Sequence, residues 1–156
     1  MDIPALMQAI AERIAQIPDL PGASYPALNA VPKSPWAMVR QSPQQPTRYT
    51  KGRAGVQVVL PMIEVVLLIE SQLDKPREEA RLDPLIAQVL DALSLGPDGK
   101  AYDDLLPNLP GHVDRIWSDA TVQRGTMKWG QQDCYAAAIT LDGEFKRKTH
   151  AMEVMP

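Results

Sequence analysis

The first hydrophobic pattern along the chain has the period of an α-helix. Apolar residues at spacings of three and four line one helical face between residues 3 and 17: Ile3, Leu6, Ile10, Ile14 and Ile17. Asp2 is suited to cap the N-terminus, and Pro4 is tolerated in the first turn. Pro18 is expected to end the helix, so the pattern predicts a helix over residues 3–17.

A second helical pattern follows the dipeptide Asp83-Pro84, which offers an N-cap and a proline at the first helical position. Leu85, Val89 and Leu93 repeat at helical spacing before Gly96-Pro97 ends the run. We expect a helix over residues 84–95, and an extension back to Pro76 is left open.

The strongest strand pattern lies in residues 56–71. From Ile63 onward, two sets of side chains alternate: Ile63, Val65, Leu67 and Ile69 on one face, and Glu64, Val66, Leu68 and Glu70 on the other. This predicts an interior strand with one face fully buried and the other partly covered. Pro61 cannot donate to a ladder, so residues 56–60 are expected to form a separate piece.

Three further strands complete the expected sheet. Residues 36–40 predict a short strand, while residues 113–126 and 132–145 predict an antiparallel hairpin whose connection Gly125 and Gly130 bracket. The fold class is therefore α+β, with two helices packed on one face of a mainly antiparallel four-stranded sheet and with long loops.

Between these elements the chain contains long connections. Residues 18–35 are rich in proline and should form an ordered segment held to the core by Leu20, Tyr25, Leu28 and Val31. Residues 41–55 are polar and basic and form a projecting arm, and residues 146–156 form a C-terminal tail that frays or packs on a partner. We expect a single domain over residues 1–156, because this length allows one core.

Composition excludes several classes of protein. The apolar fraction of 45% argues against global disorder. Apolar runs such as residues 65–69 are too short to cross a bilayer, and the N-terminus lacks the pattern of a signal peptide. One cysteine, Cys134, cannot form a disulfide within the chain.

Charge is segregated along the chain, although the net charge is only −3. Residues 20–63 contain five basic residues and no acidic residue, whereas acidic residues outnumber basic ones in residues 64–119. A solvated surface explains such asymmetry equally well. The sharper interpretation is a molecule with a basic and an acidic side, which meets copies of itself head to tail.

The sequence offers no catalytic, cofactor-binding or metal-binding motif. His112 and His150 are 38 positions apart and lack the spacing of metal ligands. Cys134 begins an apolar strand and is expected to be a small core residue. These residues favour a protein that is not an enzyme; an enzyme using Cys134, or His112 with nearby acids, is the alternative.

The arm contributes the candidate interface. Arg40, Arg48, Tyr49, Lys51 and Arg53 are the residues that we expect to contact a partner. Four cations on an arm support weak, salt-sensitive binding, either to phosphate or to an acidic protein surface.

The order of these elements resembles that of the tail terminator proteins (also called tail completion or head–tail joining proteins) of long-tailed bacteriophages and related prophages. The resemblance rests on an N-terminal helix, a Pro-rich segment with Tyr25-Pro26, a strand, and a polar arm with Tyr49 and Gly52. An apolar strand ending at Ser71, a helix ending at Gly96 and a closing hairpin with Tyr135-Ala136-Ala137 complete it.

The resemblance implies a structural virion protein without enzymatic activity and without a cofactor. It implies a hexameric ring that caps the tail tube and joins it to the head connector, at the tail–neck junction of a virion assembled in the bacterial cytoplasm. The implied partners are other copies of the chain, the tail tube protein and the connector, with DNA passing through the ring and no membrane. The alternative is a small α+β module that binds a ligand or a protein.

Overall fold

The computed structural model describes residues 3–51, 56–71, 75–93, 119–142 and 145–148. Their elements follow the order α1 (Ile3–Ile14), β1 (Ala23–Ser24), β2 (Trp36–Gln41), β3 (Arg48–Lys51), β4 (Val56–Leu60), β5 (Ile63–Glu70), α2 (Lys75–Ala92), β6 (Asp119–Trp129), β7 (Gln132–Asp142) and β8 (Phe145–Lys148). Within these residues, the main sheet has the strand order β1-β2-β5-β7-β6, and a second sheet has the order β3-β4-β8.

The α+β class is confirmed, but the expected four-stranded antiparallel sheet is wrong. The main sheet of the described chain has five strands and is mixed, because the two residues of β1 pair with β2 in parallel. Its other pairs are antiparallel. The extra strand comes from the Pro-rich segment, where Ala23 and Ser24 lie beside Ala37 and Met38.

Helix α1 ends at Ile14, three residues before the predicted end. Two tight turns follow it, in which the amide of Ile17 donates to the carbonyl of Ile14 (3.0 Å) and that of Leu20 to Ile17 (3.1 Å). Ile17 and Leu20 remain buried. The apolar spacing therefore marked buried positions correctly, although the last of them lies in turns.

Helix α2 begins at Lys75, so the extension back to Pro76 that the sequence left open does form. Pro84 lies inside the helix rather than at its start, where it removes one backbone hydrogen bond. The apolar face of the helix is buried and is formed by Leu82, Leu85, Ile86 and Val89.

Strand β5 is buried on both faces. The side chains of Val65 and Leu67 lie in the core beneath both helices. We expected only partial cover on the other face, yet Val66 and Leu68 have no exposed surface. The prediction underestimated this burial, because two segments distant in sequence cover the second face.

The helix-covered face of the main sheet carries the larger core. Both helices pack on this one face, as predicted, against residues from three adjacent strands: Ala37, Val39, Ile63, Val65, Leu67, Ile69, Tyr135, Ala137 and Ile139. The aliphatic and aromatic surface removed from water here is the main source of stability.

The expected attachment of the Pro-rich segment to the core is confirmed for Leu20 and Tyr25, which pack in the helix-covered core, and for Val31, which packs on the opposite face. The later part of the segment covers that opposite face. The amide of Val31 donates to Oε1 of Gln132 (2.8 Å), and the indole of Trp129 donates to the carbonyl of Leu28 (2.7 Å). The side chain of Leu28 is the exception, being 41% exposed. Gly130 has φ +61°, and a Cβ there would collide with the carbonyl of Asn29, so only glycine fits this turn.

The closing hairpin is confirmed as antiparallel, with its turn at residues 130–131. Gly125 does not end a strand as expected but lies within β6, opposite Ala136. The predicted loop 96–112 and residues 113–118 lie outside the described residues.

The chain passes from the second sheet into the main sheet between β4 and β5. Pro61 ends the hydrogen-bond ladder of β4, and Met62 has φ +51°, a left-handed conformation that is costly for a residue with a side chain. The amide of Ser42 donates to the carbonyl of Met62 (2.8 Å), and the hydroxyl of Thr47 donates to that of Pro61 (3.0 Å). These bonds fix the base of the arm to the main sheet.

At Met62, the usual order of stability, in which an alanine variant is more stable than a glycine variant, is expected to reverse. Both remove the same buried side chain, but only glycine relieves the positive φ. We expect Met62→Gly to be more stable than Met62→Ala by about 1 kcal/mol, as measured by urea denaturation. An alanine variant as stable as the glycine variant would contradict a strained Met62.

Candidate functional site

The predicted arm forms a hairpin. Strand β3 pairs antiparallel with β4, so that Arg48 lies opposite Leu60 and Lys51 opposite Gln57. All four residues of β3 are exposed, with Tyr49 at 52%. Of the candidate interface residues, Arg48, Tyr49 and Lys51 thus share one exposed strand, while Arg53 lies outside the described residues.

Strand β8 adds three basic residues to the same sheet. Lys146, Arg147 and Lys148 occupy register positions opposite Val58, Gln57 and Val56. The first three residues of the predicted tail thus form a strand, while residues 149–156, for which fraying or packing on a partner stays a prediction, lie outside the described chain. With two basic residues in β3, three in β8 and no acidic residue in any of the three strands, we name β3, β4 and β8 the basic sheet.

Strand β4 anchors the basic sheet to the body of the protein. Val59 has no exposed surface and belongs to the main core. Its neighbours Val58 and Leu60 are half-buried. The central strand is thus held by packing, while β3 at its edge stays open to solvent.

Arg40 lies apart from the basic sheet and is engaged within the protein. Its guanidinium donates from Nη2 (2.8 Å) and Nε (3.0 Å) to Oε1 of Glu64, directly opposite on β5. Its Cζ also lies 4.9 Å from the centroid of the Trp129 ring. The side chain of Glu64 is only 9% exposed and that of Arg40 29%, so the pair sits within the second face of the sheet.

The contact between Arg40 and Trp129 shows that the hairpin bends. In a flat sheet their register positions would be separated by about 25 Å along the strands, at a rise of ~3.3 Å per residue. The tip of the β6–β7 hairpin must therefore curl over the second face. There Trp129 packs in one cluster with Met38 and Val66.

Cys134 and Tyr135 are buried groups on β7. Burial raises the pKa of the Cys134 thiol, and the nearby carboxylates of Glu70 and Asp133 add to this rise. Burial also raises the pKa of Tyr135, whose hydroxyl donates to Oε1 of Glu79 (2.9 Å). Cys134 is 1% exposed, so it behaves as the small core residue that we expected rather than as an activated nucleophile.

A groove of about 290 Å³ lies where the C-terminal ends of α1 and α2 meet. It is lined by Arg13, Gln16, Ile17, Pro18, Gln88, Asp91 and Ala92, and we name it the terminal groove. Nε of Arg13 donates to the carbonyl of Ala92 (3.2 Å), and Nε2 of Gln88 donates to Asp19 (2.9 Å). Oε1 of Gln88 is buried and meets no donor among the described residues.

Other candidate chemistry is limited in the described part of the chain. No group of three or more His, Cys, Asp or Glu residues there is arranged to hold a metal ion. His112 and His150 lie outside it. Its helices are too short or too polar to span a membrane.

No protein-family model matches the chain, and no curated protein matches its sequence significantly.

Sequence reasoning missed two features of these surfaces. The contribution of β8 was hidden because it depends on pairing with β4, nearly 90 positions earlier. The available signal was the pair Asp142-Gly143, which is typical of a turn, followed by Phe145 and three basic residues. The terminal groove was also missed, since it requires two helix ends to meet.

Breaking the Arg40–Glu64 pair is expected to cost more than removing it. Arg40→Met leaves a nearly buried carboxylate without its partner, so we expect a loss of about 3 kcal/mol. The double variant Arg40→Met/Glu64→Met should be less destabilised than Arg40→Met alone, as measured by urea denaturation.

The exposed ion pair between Arg124 and Asp83 is the matched control, measured with the same set of single and double variants. The coupling energy of a pair is the difference between the cost of the double variant and the summed costs of the single variants. For the exposed pair it should fall within about 0–1 kcal/mol. Equal coupling energies for the two pairs would show that burial does not govern the Arg40–Glu64 interaction.

The Cys134 thiol is expected to react only when the protein unfolds. Its raised pKa leaves less thiolate at any given pH, and burial blocks access to a reagent. At pH 8, an aromatic disulfide reagent should label native protein at least about a hundredfold more slowly than protein in denaturant. Comparable rates in the two conditions would show that Cys134 is accessible.

Proposed function

We propose that this chain is a structural subunit of a phage tail terminator, which caps the tail tube and joins it to the head connector. The observation that carries the proposal is the basic sheet, which extends an α+β body with an exposed basic strand. A subunit that docks to other proteins needs such a surface outside its core. The proposed assembly is a hexameric ring, through which DNA passes.

The order of elements supports this proposal. The described chain runs from a helix through a strand, a projecting hairpin and a buried strand to a second helix and a closing hairpin. This is the order on which the resemblance to tail terminators rests. The arm, which occupies the place of that family's long strand-connecting loop, is a folded hairpin with a fixed base.

The distribution of charge also supports assembly from several copies. The basic sheet contains no acidic residue, while the whole chain has a net charge of −3. Acidic residues are therefore in excess elsewhere on each copy. Complementary patches of this kind favour contacts between unlike surfaces, which close into rings when the rotation permits.

The alternative, a small α+β module that binds a ligand or a protein, predicts a concave apolar site. The terminal groove is the candidate in the described residues: its volume of about 290 Å³ is at the lower limit of the roughly 300–1,000 Å³ of small-molecule sites, and its lining is mostly apolar.

The proposal is tested in the phage or prophage that encodes the chain. After deletion of its gene, electron microscopy should show separate heads and tails, and wild-type protein supplied in trans should restore joined particles. We expect the variant Arg48→Glu/Arg53→Glu to restore at least about tenfold fewer joined particles than wild-type protein, because charge reversal opposes docking. Joined particles in the deletion strain would refute the proposed function.

The control variant is Lys33→Glu/Arg81→Glu, which makes the same change of charge at exposed positions outside the arm. It should restore joining to nearly the wild-type level. Equal losses in the two variants would assign the effect to net charge and not to the arm. Circular dichroism on each purified variant establishes that it folds.

A further inference from the structure

The register of the basic sheet separates its cations between two faces. Residues directly opposite one another in an antiparallel pair share a face, and so do alternate residues of one strand. Three cations pair with alternate residues of β4, at positions 60, 58 and 56: Arg48, Lys146 and Lys148. These three cations therefore lie on one face, which we name the outer face.

The outer face is the side of the basic sheet that lies away from the core. On the opposite side, which we name the inner face, Val59 has no exposed surface and belongs to the main core. Val58 and Leu60, on the outer face, are half-buried and belong to neither core cluster of the described chain. The inner face carries the other two cations, Lys51 and Arg147, both at register positions opposite residue 57.

The cations of the outer face are close together and lack acidic neighbours in their own sheet. Lys146 and Lys148 are about 7 Å apart along one strand, and the two edge strands are about 10 Å apart. These separations are within about one Debye length at 0.1 M salt, so the fields of the three cations add. Arg48 forms no ion pair with a residue that the structure describes, and the three strands contain no acidic residue. A ligand with several negative charges offsets this repulsion.

The chemistry of the outer face suits a chain of phosphate groups. The cores of protein–protein interfaces are depleted in lysine and enriched in aromatic residues. The outer face instead has two lysines and one arginine, with no aromatic residue at its register positions in the described strands. Lysine binds phosphate as a point charge, and such contacts are the main source of non-specific affinity for nucleic acids.

We propose that the outer face of the basic sheet binds the phosphate backbone of nucleic acid through Arg48, Lys146 and Lys148. Because contacts to phosphate carry no sequence information, the binding does not depend on base sequence. The binding is a property of the single chain and goes beyond the proposed function. Only one part of the inference rests on that function, namely that the bound nucleic acid is the DNA passing through the ring.

The salt dependence of binding tests the number of phosphate contacts. Fluorescence anisotropy of a labelled short duplex, titrated with purified chain, gives the binding constant between about 50 and 200 mM salt. Three contacts predict a slope of log K against log salt of about −2.7 for duplex DNA and about −2.1 for a single strand. Absence of binding at the lowest salt concentration would overturn the inference.

Two double variants remove two cations each from opposite faces of the same sheet. Lys146→Gln/Lys148→Gln removes them from the outer face, and Lys51→Gln/Arg147→Gln is the matched control on the inner face. The outer variant should bind at least about tenfold more weakly and flatten the slope by about 2, whereas the inner variant should leave the slope nearly unchanged. Equal changes would show a diffuse effect of charge and overturn the site.

Circular dichroism on each variant establishes that it folds. Arg48→Gln provides a second measurement that leaves β8 intact, since Arg48 lies on the exposed strand β3. It should flatten the slope by about 1. A slope unchanged by this substitution would remove Arg48 from the site.

Competition with poly-glutamate distinguishes nucleic acid from an acidic protein. Duplex DNA carries one negative charge per about 1.7 Å of its axis, whereas an extended poly-glutamate chain carries one per about 3.3 Å. At equal concentrations of charge, poly-glutamate should therefore displace the labelled duplex much less effectively than unlabelled duplex does. Equal displacement would assign the outer face to an acidic protein surface and overturn the inference.

The particle-joining assay separates the two proposals. Absence of DNA binding by the purified chain, with wild-type protein restoring joined particles, would overturn this inference and leave the proposed function standing. DNA binding by the purified chain, with wild-type protein failing to restore joining, would overturn the proposed function and leave the outer face as a nucleic-acid site. Tighter binding of duplex RNA than of duplex DNA would contradict the assignment to DNA in the ring.

Discussion

The structure depends on covering both faces of β5. A strand with aliphatic side chains on both sides cannot lie at a surface, so the sheet must be enclosed from two directions. Helices α1 and α2 cover one face. The other has no helix in the described chain, and its cover comes from the Pro-rich segment and the curled tip of the β6–β7 hairpin.

The second cover explains several otherwise unrelated features. Trp129 provides apolar area over Met38 and Val66, while its indole N–H satisfies a carbonyl of the Pro-rich segment. Glu64 interrupts the apolar pattern of β5, and it is tolerated because Arg40 lies directly opposite. Gly130 lets the hairpin turn pass close to the backbone of Asn29. These residues together allow the bent hairpin and the Pro-rich segment to pack on the second face of the sheet.

The accuracy of the sequence predictions followed the range of the interactions involved. The apolar spacing of α1 and the alternation of β5 act between near neighbours, so those elements and their faces toward the helix-covered core were predictable. The full burial of the second face of β5 was underestimated, because its cover comes from distant segments. The pairing of β8 with β4 and the parallel pairing of β1 with β2 join segments that no local pattern connects. For the same reason Arg48 and Lys51 could be placed in one arm, whereas Lys146–Lys148 could not be placed beside them.

The positive charges of the basic sheet serve more than one purpose. Strands β3 and β8 are the two edges of this sheet in the described chain, and unpaired edges invite unwanted strand addition. Lysine and arginine on an edge discourage pairing with other sheets. Under the proposed function, the same charges also attract an acidic surface of a partner, so one edge both resists unspecific strand addition and takes part in an ordered assembly.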